Sequence, residues 1–155
     1  VVELKFNKSS EGLRMRFLKG IAGTRSRVAW CGLEKSGMPH VSKPDRERLL
    51  HIMSGSVVSE IARRTHARSM SVMVDRRWTK EKQRAEFSAC IERAVFARHS
   101  GYFAPSIEVC HFDSMACEGL QVVDFVAGAV FKSIERADGS YLELISRNIV
   151  HGGLR

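Results

Sequence analysis

The run Gly119-Leu120-Gln121-Val122-Val123-Asp124-Phe125-Val126-Ala127-Gly128-Ala129-Val130-Phe131 is the most apolar stretch of the chain, and an aspartate stands in its middle. It is too short to span a bilayer, which takes roughly 20 apolar residues. Read as a helix at about 100° per residue, it places Cys117, Gln121, Asp124, Gly128 and Lys132 on one narrow stripe. Val122, Val123, Val126, Ala127 and Val130 cover the broad opposite face, a pattern that predicts a helix nearly surrounded by protein. A carboxylate buried without a partner is strongly disfavoured, so Asp124 is expected to meet water, a cation or a metal. A salt bridge to Lys5 is the main structural competitor.

The rest of the chain alternates strand and helix signals. Glu3 to Phe6 alternates polar and apolar residues, and Ser9-Ser10 can cap a helix that carries Leu13, Phe17, Leu18 and Ile21 and ends at Gly23. Arg27 to Leu33 reads as a buried strand, and Glu34 to Lys43, with Gly37 and Pro39, as a loop. Pro44 suits the first turn of a helix whose apolar face is Leu50, Met53, Val57 and Ile61. Ser69 to Asp75 has the period of a strand. Thr79 can cap the next helix, on which Phe87, Cys90, Ile91, Ala94 and Val95 recur. After the loop marked by Gly101 and Pro105, Ile107 to Asp113 alternates again. Ser140 with Glu143 forms a candidate capping box, and His151-Gly152-Gly153 is expected to fray. Such alternation predicts an α/β domain, and at 155 residues the expected organisation is one domain over 1–155, or a C-terminal piece of a longer one.

Charge narrows the partners. The chain carries a formal net charge of +8, which favours a polyanion, with nucleic acid the leading candidate over a merely basic soluble protein. No signal peptide or membrane span is read from the sequence, so no membrane partner is expected. The four cysteines, Cys31, Cys90, Cys110 and Cys117, show no CxxC spacing, and Cys110-His111 with Cys117 lacks the second half of a zinc site. A reduced, cytoplasmic setting is the default. Cys110 and His111 point to opposite faces of a strand and cannot form a dyad.

Two predicted strands end in acids, Asp75 and Asp113, and the Asp124 helix follows the second closely. In open α/β sheets, sites gather beyond the carboxyl ends of strands. Carboxylates converging there would suit Mg²⁺ or Mn²⁺, with Asp75 and Asp124 as principal ligands and Glu3 and Asp113 completing the cage. Each acid also has a structural reading. Asp75 can turn the chain or pair with Arg76 or Arg77, Asp113 can cap a turn, and Glu3 can be a solvated strand residue. Arg76, Arg77 and Trp78 form a candidate phosphate clamp with a stacking aromatic, or a solvated basic turn with Trp78 in the core.

Glu3-Leu4-Lys5, the strand ending Val72-Met73-Val74-Asp75-Arg76-Arg77, and Phe112-Asp113-Ser114 leading into the Gly119 to Ala129 helix together resemble the domain-of-unknown-function 3800 family. Its members end in an Asp-Ser element and a Gly-Leu-Gln-x-Ala-Asp-x-x-Ala-Gly helix; Val123 stands here for the alanine. The resemblance implies a ribonuclease H-like mixed sheet flanked by helices, and a metal-dependent nuclease in which Glu3, Asp75 and Asp124 are catalytic and Asp113, Lys5 and Gln121 accessory. Family members begin with a strand bearing Asp-Glu-Ser, which has no counterpart before Glu3. The expectation is therefore a sheet missing its first strands, whose open edge a homo-oligomer could cover. A catalytically silent nucleic-acid-binding or assembly domain of the same fold stands beside the nuclease reading.

Overall fold

Side-chain caps set several of the element boundaries. Ser10 Oγ accepts the Leu13 amide at 3.3 Å and begins α1 (Glu11–Ala22), which Gly23 ends, as the sequence signals predict. Ser42 Oγ accepts the Asp45 amide at 3.3 Å, Pro44 sits in the first turn, and α2 runs Lys43–Thr65. The other elements are β1 (Val28–Ala29), β2 (Ser69–Asp75), α3 (Glu81–Ala97), β3 (Ser106–Phe112), α4 (Glu118–Glu135), α5 (Ser140–Leu144) and β4 (Ile149–His151). The computed structural model describes residues 4–34, 42–99 and 104–154. Glu3, the loop signals Gly37 and Pro39, and Gly101 lie outside these residues.

Local chemistry redirects two of the expected caps. Lys80 rather than Thr79 stands at the start of α3, because the Thr79 carbonyl is turned to accept Arg84 Nη1 at 2.9 Å. Ser140 is capped rather than capping: Asp138 Oδ1 accepts its amide at 3.2 Å and its hydroxyl at 2.6 Å.

The chain is α/β, with short parallel sheets, and divides into two compact units. The first takes the described parts of 1–30 and 112–151, the second those of 31–111 and 152–155. β1 pairs with β4, and β2 pairs with β3, as separate two-stranded sheets. The segment Arg27 to Leu33 gives only two strand residues, with Val28 opposite Ile149 and Ala29 opposite His151 in parallel. The tail expected to fray is tied down instead: His151 ends β4, and the Gly153 carbonyl accepts the Gly32 amide at 3.0 Å. In the second unit the Ser106 amide donates to the Arg68 carbonyl at 3.0 Å, and Ser71 Oγ donates to the Glu108 carboxylate at 3.3 Å. These contacts advance in the same direction on both strands, the relation of a parallel pair joined through α3.

Each unit has its own core. The first is built from Phe6, Leu18, Ile21, Phe125, Ala129, Tyr141 and Ile145. Phe6 meets Phe125 and Tyr141 edge-on at 5.9 and 5.4 Å, and Phe17 stacks on Phe125 at 4.1 Å. Buried Asn148 closes the loop after α1 by donating to the Ser26 carbonyl at 2.9 Å. The second core is Trp78, Phe87 and Ile91, packed by Leu50, Val58, Val74, Ile107 and Val109. There α2 and α3 approach closely at Gly55, where an added Cβ would lie 2.7 Å from Ala94 Cβ.

α4 corrects the expectation of a nearly enclosed helix. Its inward face is Leu120, Phe125, Ala129 and Val130, whereas Val123 is 60% and Phe131 54% exposed. The rings of Phe6 and Phe17 meet Phe125, with Tyr141 packed on Phe6 behind it, and they fix which face turns inward, leaving Val123 and Ala127 outside. Among the described residues no helix is long and apolar enough to cross a membrane.

Gly128 makes this packing work, because an added Cβ would lie 2.7 Å from Phe6 Cβ and closer still to its ring. Gly128→Ala should therefore lower stability by about 1–3 kcal/mol through overpacking, despite alanine's better helix propensity. Urea denaturation of the variant and wild type measures the difference.

Candidate functional site

The stripe predicted on α4 receives the N-terminal segment. Asp124 Oδ2 accepts the Phe6 amide at 2.8 Å, and Gln121 Oε1 accepts the Leu4 amide at 3.4 Å. Lys5 between them is extended, with φ −125° and ψ 137°, so alternate amides face the helix as they would face a neighbouring strand. One turn along, Gly128 leaves room for the Phe6 ring. Arg14 holds the opposite side of Phe6: its Nε donates to the Phe6 carbonyl at 2.7 Å, and its guanidinium lies 4.7 Å from the ring centroid. The partner Asp124 called for is thus a main-chain amide. Lys5 contributes its carbonyl, which accepts the Lys8 amide and the Ser9 hydroxyl. The Asp124 residue itself is exposed, so its carboxylate does not bear the full burial cost inferred from sequence.

Asp113 takes the structural role open to it, with Oδ1 accepting the Met115 amide at 2.9 Å. Gln121 Nε2 donates to the Ser114 carbonyl at 3.3 Å, tying that turn to α4.

In the second unit, the two-residue period of β2 leaves Asp75 exposed on the face opposite Val74. Among the described residues no group hydrogen-bonds its carboxylate, while its carbonyl accepts the Arg77 amide at 2.8 Å. Arg76 and Arg77 are exposed. Trp78 does not suit stacking on a base, which corrects that part of the expected clamp. It is only 6% exposed, with Phe87 at 4.9 Å and His51 at 5.6 Å against its ring. Arg84 causes the inward turn by donating to the carbonyls of both Trp78 and Thr79, at 3.1 and 2.9 Å.

Two groups in this unit carry no clear signal in the sequence. His111 lies on the inner face of β3 with Ile107 and Val109, and its Nδ1 is buried without a hydrogen-bond partner. Its Nε2 is 3.4 Å from Ser88 Oγ, whose proton goes to the Arg84 carbonyl at 3.0 Å. That leaves Ser88 as an acceptor for an Nε2 proton, so the pair is a packed imidazole rather than an activated nucleophile. Burial, then the charges of Arg84 and Arg76, push the His111 pKa down. A histidine at an alternate position of an otherwise apolar strand is the one hint that composition offers. Glu60, on α2, is 6% exposed and accepts Arg63 Nη2 at 2.7 Å and Arg64 Nε at 2.6 Å, with Arg98 Nη1 at 3.8 Å. Hydrogen bonds from Arg63 and Arg64 hold its pKa down at about 2. The three- and four-residue spacings to Arg63 and Arg64 are legible in the chain; Arg98 on the neighbouring helix is not.

Among the described residues no three His, Cys, Asp or Glu side chains group together. Asp113 is committed to its own turn and one Asp124 oxygen to Phe6. Comparison with known proteins finds no matching family model, no matching curated protein and no matching solved structure.

The Asp124 geometry separates a docking role from a charge-dependent one. Asp124→Asn keeps a carbonyl acceptor for the Phe6 amide and should cost little, whereas Asp124→Ala should cost about 1–2 kcal/mol. Thermal melts of the two variants distinguish these outcomes, and equal losses would contradict the docking role.

Acid should weaken the fold in two windows. The His111 pKa lies below the ordinary 6.5, so from 6.5 downward the unfolded chain binds more protons and stability falls with pH. Glu60 acts likewise between 4.5 and about 2, where its ion pairs are lost on protonation. Denaturation midpoints across pH should lose the first decline in His111→Phe and the second in Glu60→Gln.

Proposed function

We propose that this chain is a nucleic-acid-binding domain that grips the phosphodiester backbone with the basic surface of its second unit. The carrying observation is where the charge lies. That unit's sequence holds fifteen Lys and Arg against nine Asp and Glu, a net +6, compared with +2 for the first unit. Residues 63–84 alone hold eight of those cations and two acids, and Arg63, Arg64, Arg68, Arg76, Arg77, Lys80 and Lys82 are all exposed. Multivalent release of counterions from nucleic acid makes such a surface effective without base contacts. The α/β architecture and the resemblance to the domain-of-unknown-function 3800 family support a ribonuclease H-like assignment within this proposal. A cytoplasmic setting belongs to it as well, and Cys31, Cys90 and Cys110 carry thiols rather than disulfides. Self-association, with a second copy covering an open strand edge, is its assembly form.

The metal-dependent nuclease is the second reading, favoured by one observation. Asp75 presents an exposed carboxylate with no hydrogen-bond partner among the described residues, immediately before two exposed arginines. In this reading Asp75 is a ligand of Mg²⁺ or Mn²⁺, and Arg76 and Arg77 lie next to it in the chain.

Titration of labelled DNA and RNA over a range of salt tests the leading reading. Binding should weaken steeply with salt, and Arg76→Ala with Arg77→Ala should flatten the slope by about 0.7–0.9 for each phosphate no longer neutralised. Absence of binding at low salt would remove the proposal. The same samples incubated with Mg²⁺ or Mn²⁺ decide the second reading: cleavage that disappears in Asp75→Asn supports it, and equal cleavage by both proteins counts against it.

A further inference from the structure

The burial of Trp78 leaves the basic unit without its expected stacking residue, and α3 supplies another. Among the described large apolar side chains exposed in this unit, Ile52, Met73, Phe96 and Leu154, only Phe96 is aromatic, and at 61% it is the most exposed. It borders a cavity of about 450 Å³ together with Glu92, Arg93, Ala104, Pro105 and Ile107. Arg93 also lines a second cavity, of about 380 Å³, together with Arg98. Arg93 thus lines one cavity with the exposed Phe96 and another with Arg98, which caps the C-terminus of α3. Arg93 makes no ion pair with a described residue, and Arg98 is held only at 3.8 Å from Glu60. A ring that offers its face to solvent beside spaced arginines is the arrangement that takes unstacked bases and their linking phosphates. Duplex DNA keeps its bases stacked inside the helix and cannot use the ring in this way.

We propose that this surface of α3 binds single-stranded nucleic acid, with one base stacked on Phe96 and the adjoining phosphates on Arg93 and Arg98. The proposal rests on the nucleic-acid-binding reading above and specifies the form of nucleic acid that it takes. The net charge of the unit fits the polyanion, and the apolar cavity wall of Pro105 and Ile107 fits the edge of a stacked base.

Fluorescence anisotropy of the full chain with labelled single-stranded oligonucleotide, and with the duplex of the same sequence, tests this. Phe96→Ala should weaken single-strand binding about tenfold or more, Phe96→Tyr should retain it, and duplex binding should change little. Arg93→Ala should reduce the salt slope for the single strand by about 0.7. Because Phe96 is exposed, melting temperatures of these variants should match the wild type. Single-strand affinity unchanged in Phe96→Ala, with wild type still binding, would overturn the stacking site and leave the broader reading intact. Equal loss on single strand and duplex would also overturn it. A wild-type protein that binds neither would overturn both.

Discussion

The first unit depends on the hydrogen bond from the Phe6 amide to Asp124. Without it the N-terminal segment has no fixed register on α4, and the Phe6 ring would not be delivered into the space that Gly128 leaves open. Hydrogen bonds to charged acceptors contribute more than neutral ones, typically about 1.5–3 kcal/mol when sheltered. Here the bond is partly exposed, and much of its effect is to position an aromatic ring whose burial contributes about 1.5–3 kcal/mol. Arg14 completes the grip from the other side by bonding the Phe6 carbonyl and lying against its ring. Polar contacts thus set the register, and the aromatic contacts of Phe6 with Phe125 and Tyr141 supply the cohesion.

The second unit solves a different problem, which is to carry excess positive charge without losing a core. Its arginines divide by role. Arg84 directs its donors to the loop carbonyls that turn Trp78 inward. Arg63 and Arg64 surround the buried Glu60, which lowers their mutual repulsion and lets α2 end in two cations. That placement also suits the negative end of a helix dipole. Arg76, Arg77 and Arg93 have no such structural assignment among the described residues, and in the functional reading they share the phosphate backbone with the exposed Arg63, Arg64, Arg68 and Arg98.

Much of the local structure is legible in the sequence because its causes are local. Ser10, Pro44 and Gly23 mark helix ends by chemistry confined to a few residues, and the stripe of Gln121, Asp124 and Gly128 follows from helical period alone. What meets that stripe is not legible, because a backbone amide leaves no signature in composition. The buried face of α4 misleads for a related reason: counting valines ranks faces by apolarity, whereas Phe6, Phe17 and Tyr141 arrive from distant positions and choose one. His151 reads as part of a frayed tail, and β4 goes unread, because strand pairing between residues 28–29 and 149–151 is wholly non-local. Trp78 after two arginines reads either as a stacking residue or as core, and the carbonyls pinned by Arg84 decide for the core. At the candidate site, Asp75 and the arginines after it stand on an exposed strand end as expected. Asp113 and Asp124 instead take backbone partners, and Glu3 lies outside the described residues.

Amide hydrogen exchange at Phe6 tests the docking claim most directly. The account predicts that this amide is protected in the wild type, remains so in Asp124→Asn, and exchanges far faster in Asp124→Ala while the α3 amides keep their protection. A Phe6 amide that exchanges in the wild type as fast as an unstructured peptide would contradict it.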